Sequence, residues 1–246
     1  MSSRGRVVLE SAWVLHRRPY RDTSEIVDLF TPNFGRVAAV ARGSRRGKRR
    51  MPLEPFQPLH VSWAGRGEMV TLSAVEPRGP SIQAAGRRLL SMFYVNELVL
   101  RLTGRQDPNP DVFTAYEATI VGLGGQQDEA PLLRLFERDL LRALGYGLLL
   151  EHDVEGRSVE RAVRYSYRLE EGPRRVGEGT GMALAISGDS LLAIHEGRFR
   201  SRDELLEART LLRAAVDHYL GGRPLKTRQV LNAFRARASG SSILAK

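Results

Sequence analysis

The chain contains no cysteine, which excludes a disulfide framework, a thiol nucleophile and any cysteine-ligated zinc. It lacks an apolar run of the roughly 18 residues a membrane helix needs, and its N-terminus lacks the basic, apolar and small-residue succession of a secretory leader. A soluble, cytoplasmic protein is expected. Catalytic signatures are also missing: there is no P-loop, no dinucleotide glycine fingerprint, no HExxH and no GxSxG. The five histidines, His16, His60, His152, His195 and His218, stand singly, without metal-ligand spacing. Carboxylate pairs such as Glu170-Glu171 face no evident partner. The expectation is a protein that is not an enzyme, with no cofactor and no metal.

Lysine is nearly absent too, since Lys48, Lys226 and Lys246 are the only three. Even so, the formal net charge is +10, and arginine carries it. Guanidinium groups make forked contacts to phosphate and stack on bases, so a polyanionic partner, above all nucleic acid, is expected. The hydrophobic fraction of 42% is enough for a packed core.

The first eighty positions carry short apolar runs, and three of these alternate with their neighbours: Val37, Ala39 and Ala41, then Leu59, Val61 and Trp63, then Val70, Leu72 and Ala74. Val7 to Leu15, Glu25 to Thr31, Val37 to Ala41, Leu59 to Trp63 and Val70 to Ala74 read as five short strands, separated by turns such as Asn33-Phe34-Gly35 and Gly65-Arg66-Gly67. Five strands without an intervening long helix predict a small closed barrel; the OB type is favoured, and an SH3-like barrel has a similar pattern. Glu76 to Pro80 breaks the pattern. Beyond it, helices are predicted over 87–102, 111–123, 132–144 and 203–220, with a further short one from Pro224 to Phe234. Residues 151–202 read as an irregular stretch with short strands near Tyr165–Leu169 and Ala183–Ile186. The fold class is therefore α+β: residues 1–80 form an OB-type five-stranded β-barrel that binds nucleic acid, and residues 81–246 an α-helical domain with a small irregular or β insertion.

The densest charge lies between the third and fourth strands, where Arg42, Arg45, Arg46, Lys48, Arg49 and Arg50 occur with no acid among them. Like charges so close repel one another unless a polyanion neutralises them, and binding of this kind weakens steeply with salt. Arg17, Arg18, Arg21 and Arg36 are candidates to extend the patch. Tyr20 and Phe34, beside turns, are candidates for stacking on bases, whereas Trp13 and Trp63 fit core positions better. Lys226, Arg228, Arg235 and Arg237 offer a second basic surface, with Arg228 equally suited to bracing the helices. Arg134, Arg138 and Arg142 recur every four residues beside Leu133, Phe136, Leu140 and Leu144. That stripe reads either as an exposed face with internal ion pairs or as a basic rim beside an apolar groove suited to an acidic peptide ending in an aromatic residue.

Several strings, in this order and spacing, resemble the bacterial RecO recombination mediators over nearly the whole chain. They are Ala12-Trp13-Val14-Leu15, Asp28-Leu29-Phe30-Thr31, Gly35-Arg36-Val37, Ala41-Arg42-Gly43-Ser44-Arg45, Tyr94-Val95-Asn96-Glu97-Leu98, Leu135-Phe136-Glu137, Leu140-Leu141, Leu144-Gly145-Tyr146 and Pro224-Leu225-Lys226-Thr227-Arg228. The resemblance implies an N-terminal OB-fold and a C-terminal helical domain. It also implies annealing of complementary strands and, with RecR, loading of RecA onto single-stranded DNA coated by SSB. The partners implied are single- and double-stranded DNA, RecR and the acidic, Phe-ended SSB tail at Arg134, Arg138 and Arg142, with a nucleoid-associated location. Many members of that family carry four zinc-binding cysteines after the Leu144-Gly145-Tyr146 segment; this chain has none there, and strand pairing is expected to hold the segment instead. Two rivals to this reading are a general OB-fold RNA- or ribosome-binding protein and a nuclease using scattered acids.

Overall fold

A computed structural model describes residues 5–44, 51–176 and 184–241, with side chains to residue 233. Five strands close into a barrel: β1 (Arg6–Tyr20), β2 (Ser24–Thr31), β3 (Gly35–Ala41), β4 (Leu59–Ala64) and β5 (Met69–Pro77). Their order is β1-β2-β3-β5-β4, with β1 pairing to β4 and β3 running parallel to β5, which is the OB arrangement. A single strand of fifteen residues can serve two neighbours because β1 is bulged between Val7 and Glu10 and again between Val14 and His16, and so bends around the barrel.

Alternation then sorts the side chains. Val14, Val27, Leu29, Val37, Ala39, Val61, Trp63 and Leu72 fill the interior. Trp13 and Phe30, cross-strand partners on the outer face, are buried by two helices, α1 (Gly86–Leu102) and α2 (Pro110–Gly124). Phe30 meets Phe113 at 5.5 Å and Tyr116 at 5.6 Å, and Trp13 meets Tyr116 edge-on at 5.8 Å. Each such ring contributes roughly 2–3 kcal/mol by leaving water. Among these rings lies one buried polar cluster. The Asn96 amide donates to the carbonyls of Val14 (3.4 Å) and Leu15 (3.0 Å), and its Oδ1 accepts from the Tyr116 hydroxyl at 2.7 Å. Burial pushes the Tyr116 phenol well above its usual pKa. Asn96 thus satisfies backbone groups left open at the β1 bulge and fixes α1 against the barrel.

Contacts divide the chain into two compact units, Met1–Gly125 with Leu225–Lys246, and Gln126–Pro224. The first unit is completed by α6 (Lys226–Ser241), whose N-terminal N–H groups are capped by Glu97 of α1. The Glu97 carboxylate accepts from the N–H of Lys226 (2.8 Å), the N–H of Thr227 (2.9 Å) and the Thr227 hydroxyl (2.7 Å).

The second unit holds α3 (Glu129–Ala143), a sheet of order β7-β6-β8 and the helices α4 (Gly188–Glu196) and α5 (Arg202–Tyr219). Its strands are β6 (Arg164–Arg168), β7 (Gly172–Arg175) and β8 (Leu184–Ser187). Tyr165 and Tyr167 of β6 are buried. Ahead of the sheet, the buried Asp153 closes a turn by accepting from the N–H groups of Glu155 and Arg157 (both 3.0 Å) and from Arg157 Nε (2.8 Å). Strand pairing holds the segment together with this carboxylate, whose structural role the sequence does not reveal. Among the described residues no group of three His, Cys, Asp or Glu is placed to bind a metal, so the zinc site of the family's four-cysteine members does not fit here. Helix α4 is an addition to what the periodicity reveals: it is nine residues long, capped by Ser187, whose hydroxyl accepts from the N–H of Ser190.

Candidate nucleic-acid interface

The topology gives the barrel two poles of different chemistry. The β1–β2 turn, the end of β3 and the segment entering β4 lie at one; the start of β1 and the β2–β3 and β4–β5 turns lie at the other. The structure brings Arg17, Arg18, Tyr20, Arg21 and Arg42 together at the first pole. Arg18 pairs across to Ile26, and Tyr20 to Ser24 beside the turn. The Arg21 guanidinium lies over the Tyr20 ring, 5.2 Å from its centre, and Arg18, Arg21 and Arg42 are exposed. Arg17 is ion-paired with Glu54 at 3.2 Å. Ser44 anchors the root of the basic loop, its hydroxyl lying 2.9 Å from the Glu25 carboxylate and 3.1 Å from the Ala41 carbonyl. Leu53, on the far side of the loop, is buried in the barrel. Arg45, Arg46, Lys48, Arg49 and Arg50 lie outside the described residues.

Phe34 and Arg36 sit at the other pole, about 26 and 20 Å respectively from Arg42 along the chain at some 3.3 Å per residue. Phe34 rests edge-on against Trp63 at 5.1 Å. Arg36 turns to internal work: its Nη2 donates to the Thr103 carbonyl at 2.9 Å and its Nε to that of Gly104 at 3.4 Å, so it caps the C-terminal end of α1. Burial and the neighbouring Arg105 lower its pKa, partly offset by Asp28. Close approach explains the glycine beside it. Gly35 has φ of 63°, and a Cβ there would stand 2.1 Å from the Asp107 carbonyl oxygen.

Of the remaining basic candidates, Lys226 is exposed at the start of α6, whereas Arg228 donates to the Tyr94 hydroxyl (3.3 Å) with its guanidinium over the ring. Arg235 and Arg237 fall among side chains outside the described set. Along α3, Arg134 is buried in an ion pair with Glu137 at 2.6 Å. Arg138 donates to the carbonyls of Ile194 (2.8 Å) and His195 (3.0 Å) and pairs with Asp139. Arg142 is the exposed member of the stripe, its side chain 70% accessible and 3.3 Å from Asp139.

Charge is partitioned between the units. The barrel unit carries 23 Lys and Arg against 11 Asp and Glu, a net +12, whereas Gln126–Pro224 carries 15 against 17, a net −2. The whole basic excess therefore belongs to the unit with the OB barrel. Arg66, exposed on the β4–β5 turn, is a cation that clustering in the sequence does not single out, because it stands alone between two glycines with Glu68 two residues on.

An OB barrel with a basic pole, joined to helices, defines a class of nucleic-acid-binding architecture. The N-terminal family model of recombination protein O matches residues 6–80, and its C-terminal model matches 83–229. The chain belongs to the RecO family. Among its relatives, the DNA repair protein RecO of Nitrosococcus oceani is 44% identical over 233 residues, covering 94% of this chain and 95% of that protein. Those of Alkalilimnicola ehrlichii (48% over 226 residues, covering 91% and 90%) and Azoarcus sp. (41% over 237 residues, covering 94% and 98%) align as fully. Among the described residues no helix is long and apolar enough to cross a membrane.

Proposed function

We propose that the protein is a DNA-binding recombination mediator in DNA repair, acting in the cytoplasm on the nucleoid, and that its work involves no bond-making. The observation that carries this reading is the basic pole of the barrel unit, where Arg18, Arg21 and Arg42 are exposed and Arg21 lies over the Tyr20 ring. Arginines contact phosphates and the ring offers a stacking face, a combination that tolerates any base sequence. Screening two strands at once lowers their mutual repulsion and favours annealing of complements. With RecR, the protein helps load RecA onto SSB-coated single strands. The acidic SSB tail docks along α3, where Arg142 is the cation in reach and Arg134 and Arg138 shape the helix surface through their internal bonds.

The test is annealing of complementary oligonucleotides, bare and coated with SSB, with SSB either intact or lacking its tail. Acceleration on bare DNA, and on coated DNA only when the tail is present, is expected. A protein that anneals neither, or that prefers structured RNA in competition, overturns the reading.

A further inference from the structure

Arg42 stands on a tight turn that runs from Ala41 to Ser44. The chain leaves β3 at the fully buried Ala41, exposes Arg42, and is buried again at Ser44, only 5% accessible. Gly43 makes the reversal with φ of 70°, the left-handed region. No atom lies within 4 Å of where its Cβ would stand, so conformation rather than crowding calls for glycine there. The Ser44 hydroxyl closes the turn. It lies 3.1 Å from the Ala41 carbonyl, and its single proton goes to the closer, charged acceptor, Glu25 Oε2 at 2.9 Å.

Glu25 sits where the ends of three strands meet. In β2 it is in register with Pro19 of β1 on one side and with Ala41 of β3 on the other. Its neighbour Ser24 pairs with Tyr20, whose ring carries the Arg21 guanidinium. One half-buried carboxylate therefore ties the turn bearing Arg42 to the hairpin bearing Tyr20 and Arg21. Charge alone argues against an acid at this place, because it repels the phosphates the arginines attract. What it holds accounts for it better than its charge does.

We infer that Glu25 and Ser44 are positioning residues for DNA binding, a latch that holds Arg42 at a fixed reach from Tyr20 and Arg21. This role rests on the proposed binding of DNA at the basic pole. A turn pinned before DNA arrives spares the entropy of ordering it on binding, and lets one strand meet the Arg42 guanidinium and the Tyr20 ring together. Neither residue touches the strand; both act through Arg42.

Binding of a fluorescent single-stranded oligonucleotide to the full chain, titrated with salt well below the melting range, tests this. Ser44→Ala keeps every charge and loses the latch. It is expected to bind about five-fold more weakly, the ordering cost of one residue's backbone, with the salt slope unchanged. Glu25→Gln still accepts from Ser44 through its amide oxygen. It is expected to bind about two-fold tighter, the effect of one unit charge through water over roughly 10 Å. Glu25→Ala loses the same charge but also the latch, and is expected to bind about two- to three-fold more weakly. A merely structural latch would lower melting in Ser44→Ala and Glu25→Ala without weakening binding. Adding Ser44→Ala to Arg42→Ala is expected to cost no further affinity. Wild-type affinity in Ser44→Ala, or tighter binding by Glu25→Ala, overturns the latch and leaves the pole standing if Arg42→Ala binds weakly. A further loss in the double variant also overturns it, because Ser44 then acts elsewhere. An Arg42→Ala variant that binds like the wild type overturns both the latch and the reading of Arg42 as a DNA contact.

Discussion

Replacing Arg36 by Ala separates an arginine that holds the fold from one that holds DNA. Its bond to the Thr103 carbonyl, at 2.9 Å, has the length of a full charge-assisted hydrogen bond, worth about 1.5–3 kcal/mol. The second, to Gly104 at 3.4 Å, is long and adds little on its own. A cation at the end of α1 adds roughly 0.3–1 kcal/mol through the helix dipole. Together they make the loss about 2–3 kcal/mol, or a fall of roughly 5–10 °C in melting temperature for a protein of this size. Arg36→Lys keeps the charge but not the fork and should recover about half of that loss. Melting followed by circular dichroism gives the first number. Binding of a fluorescent oligonucleotide, titrated with salt well below the melting range, gives the second, and its slope should stay at the wild-type value. A stable Arg36→Ala variant with a flattened salt slope would refute the assignment and place Arg36 on the DNA.

Arg18→Ala, Arg21→Ala and Arg42→Ala, by contrast, should each leave melting unchanged and reduce the log–log salt slope for single-stranded DNA by about 0.7, the share of one phosphate contact. Tyr116→Phe removes the donor to Asn96 Oδ1 in a dry site and should cost about 1–3 kcal/mol in urea unfolding, with Asn96→Ala costing at least as much because two β1 carbonyls lose their partner. Burial raises the pKa of Glu207, but hydrogen bonds from the Ser187 hydroxyl and N–H, with Arg164 nearby, outweigh it and hold the carboxyl below its usual value. Its contribution is therefore present above the ordinary carboxylate pKa and is lost as pH falls through the depressed one; Glu207→Gln should flatten the acid limb of a stability profile. Incubation with EDTA should leave the melting temperature unchanged, since strand pairing and Asp153 hold the segment before and through β6–β8.

The barrel was legible because each strand has one face in the core, so period-two alternation at Val37, Ala39 and Ala41, or at Leu59, Val61 and Trp63, is written directly in residue type. Helices α1, α2, α3 and α5 were legible for the same reason at a longer period. Helix α4 and strand β7 were not, because nine and four residues are too few to display a period, and Gly172-Pro173 is an unusual way to begin a strand. Arginine was the harder case. A count of guanidinium groups does not say which of them face carbonyls, and Arg36, Arg138 and Arg228 each find an acceptor dozens of residues away in the sequence. The separation of Phe34 and Arg36 from the basic loop depends on strand direction, which emerges only once pairing is known. The strings Tyr94-Val95-Asn96-Glu97 and Lys226-Thr227-Arg228 proved to be two halves of one joint.

That joint sets an order on synthesis. Glu97 leaves the ribosome more than a hundred residues ahead of the Thr227 amide it must accept. Until then α1 lacks the N-terminus of α6 that its Glu97 carboxylate caps, and the first unit to begin emerging is the last to be finished. A stop codon shortly before Thr227 would therefore spare every strand of the barrel and still leave that unit open along α1.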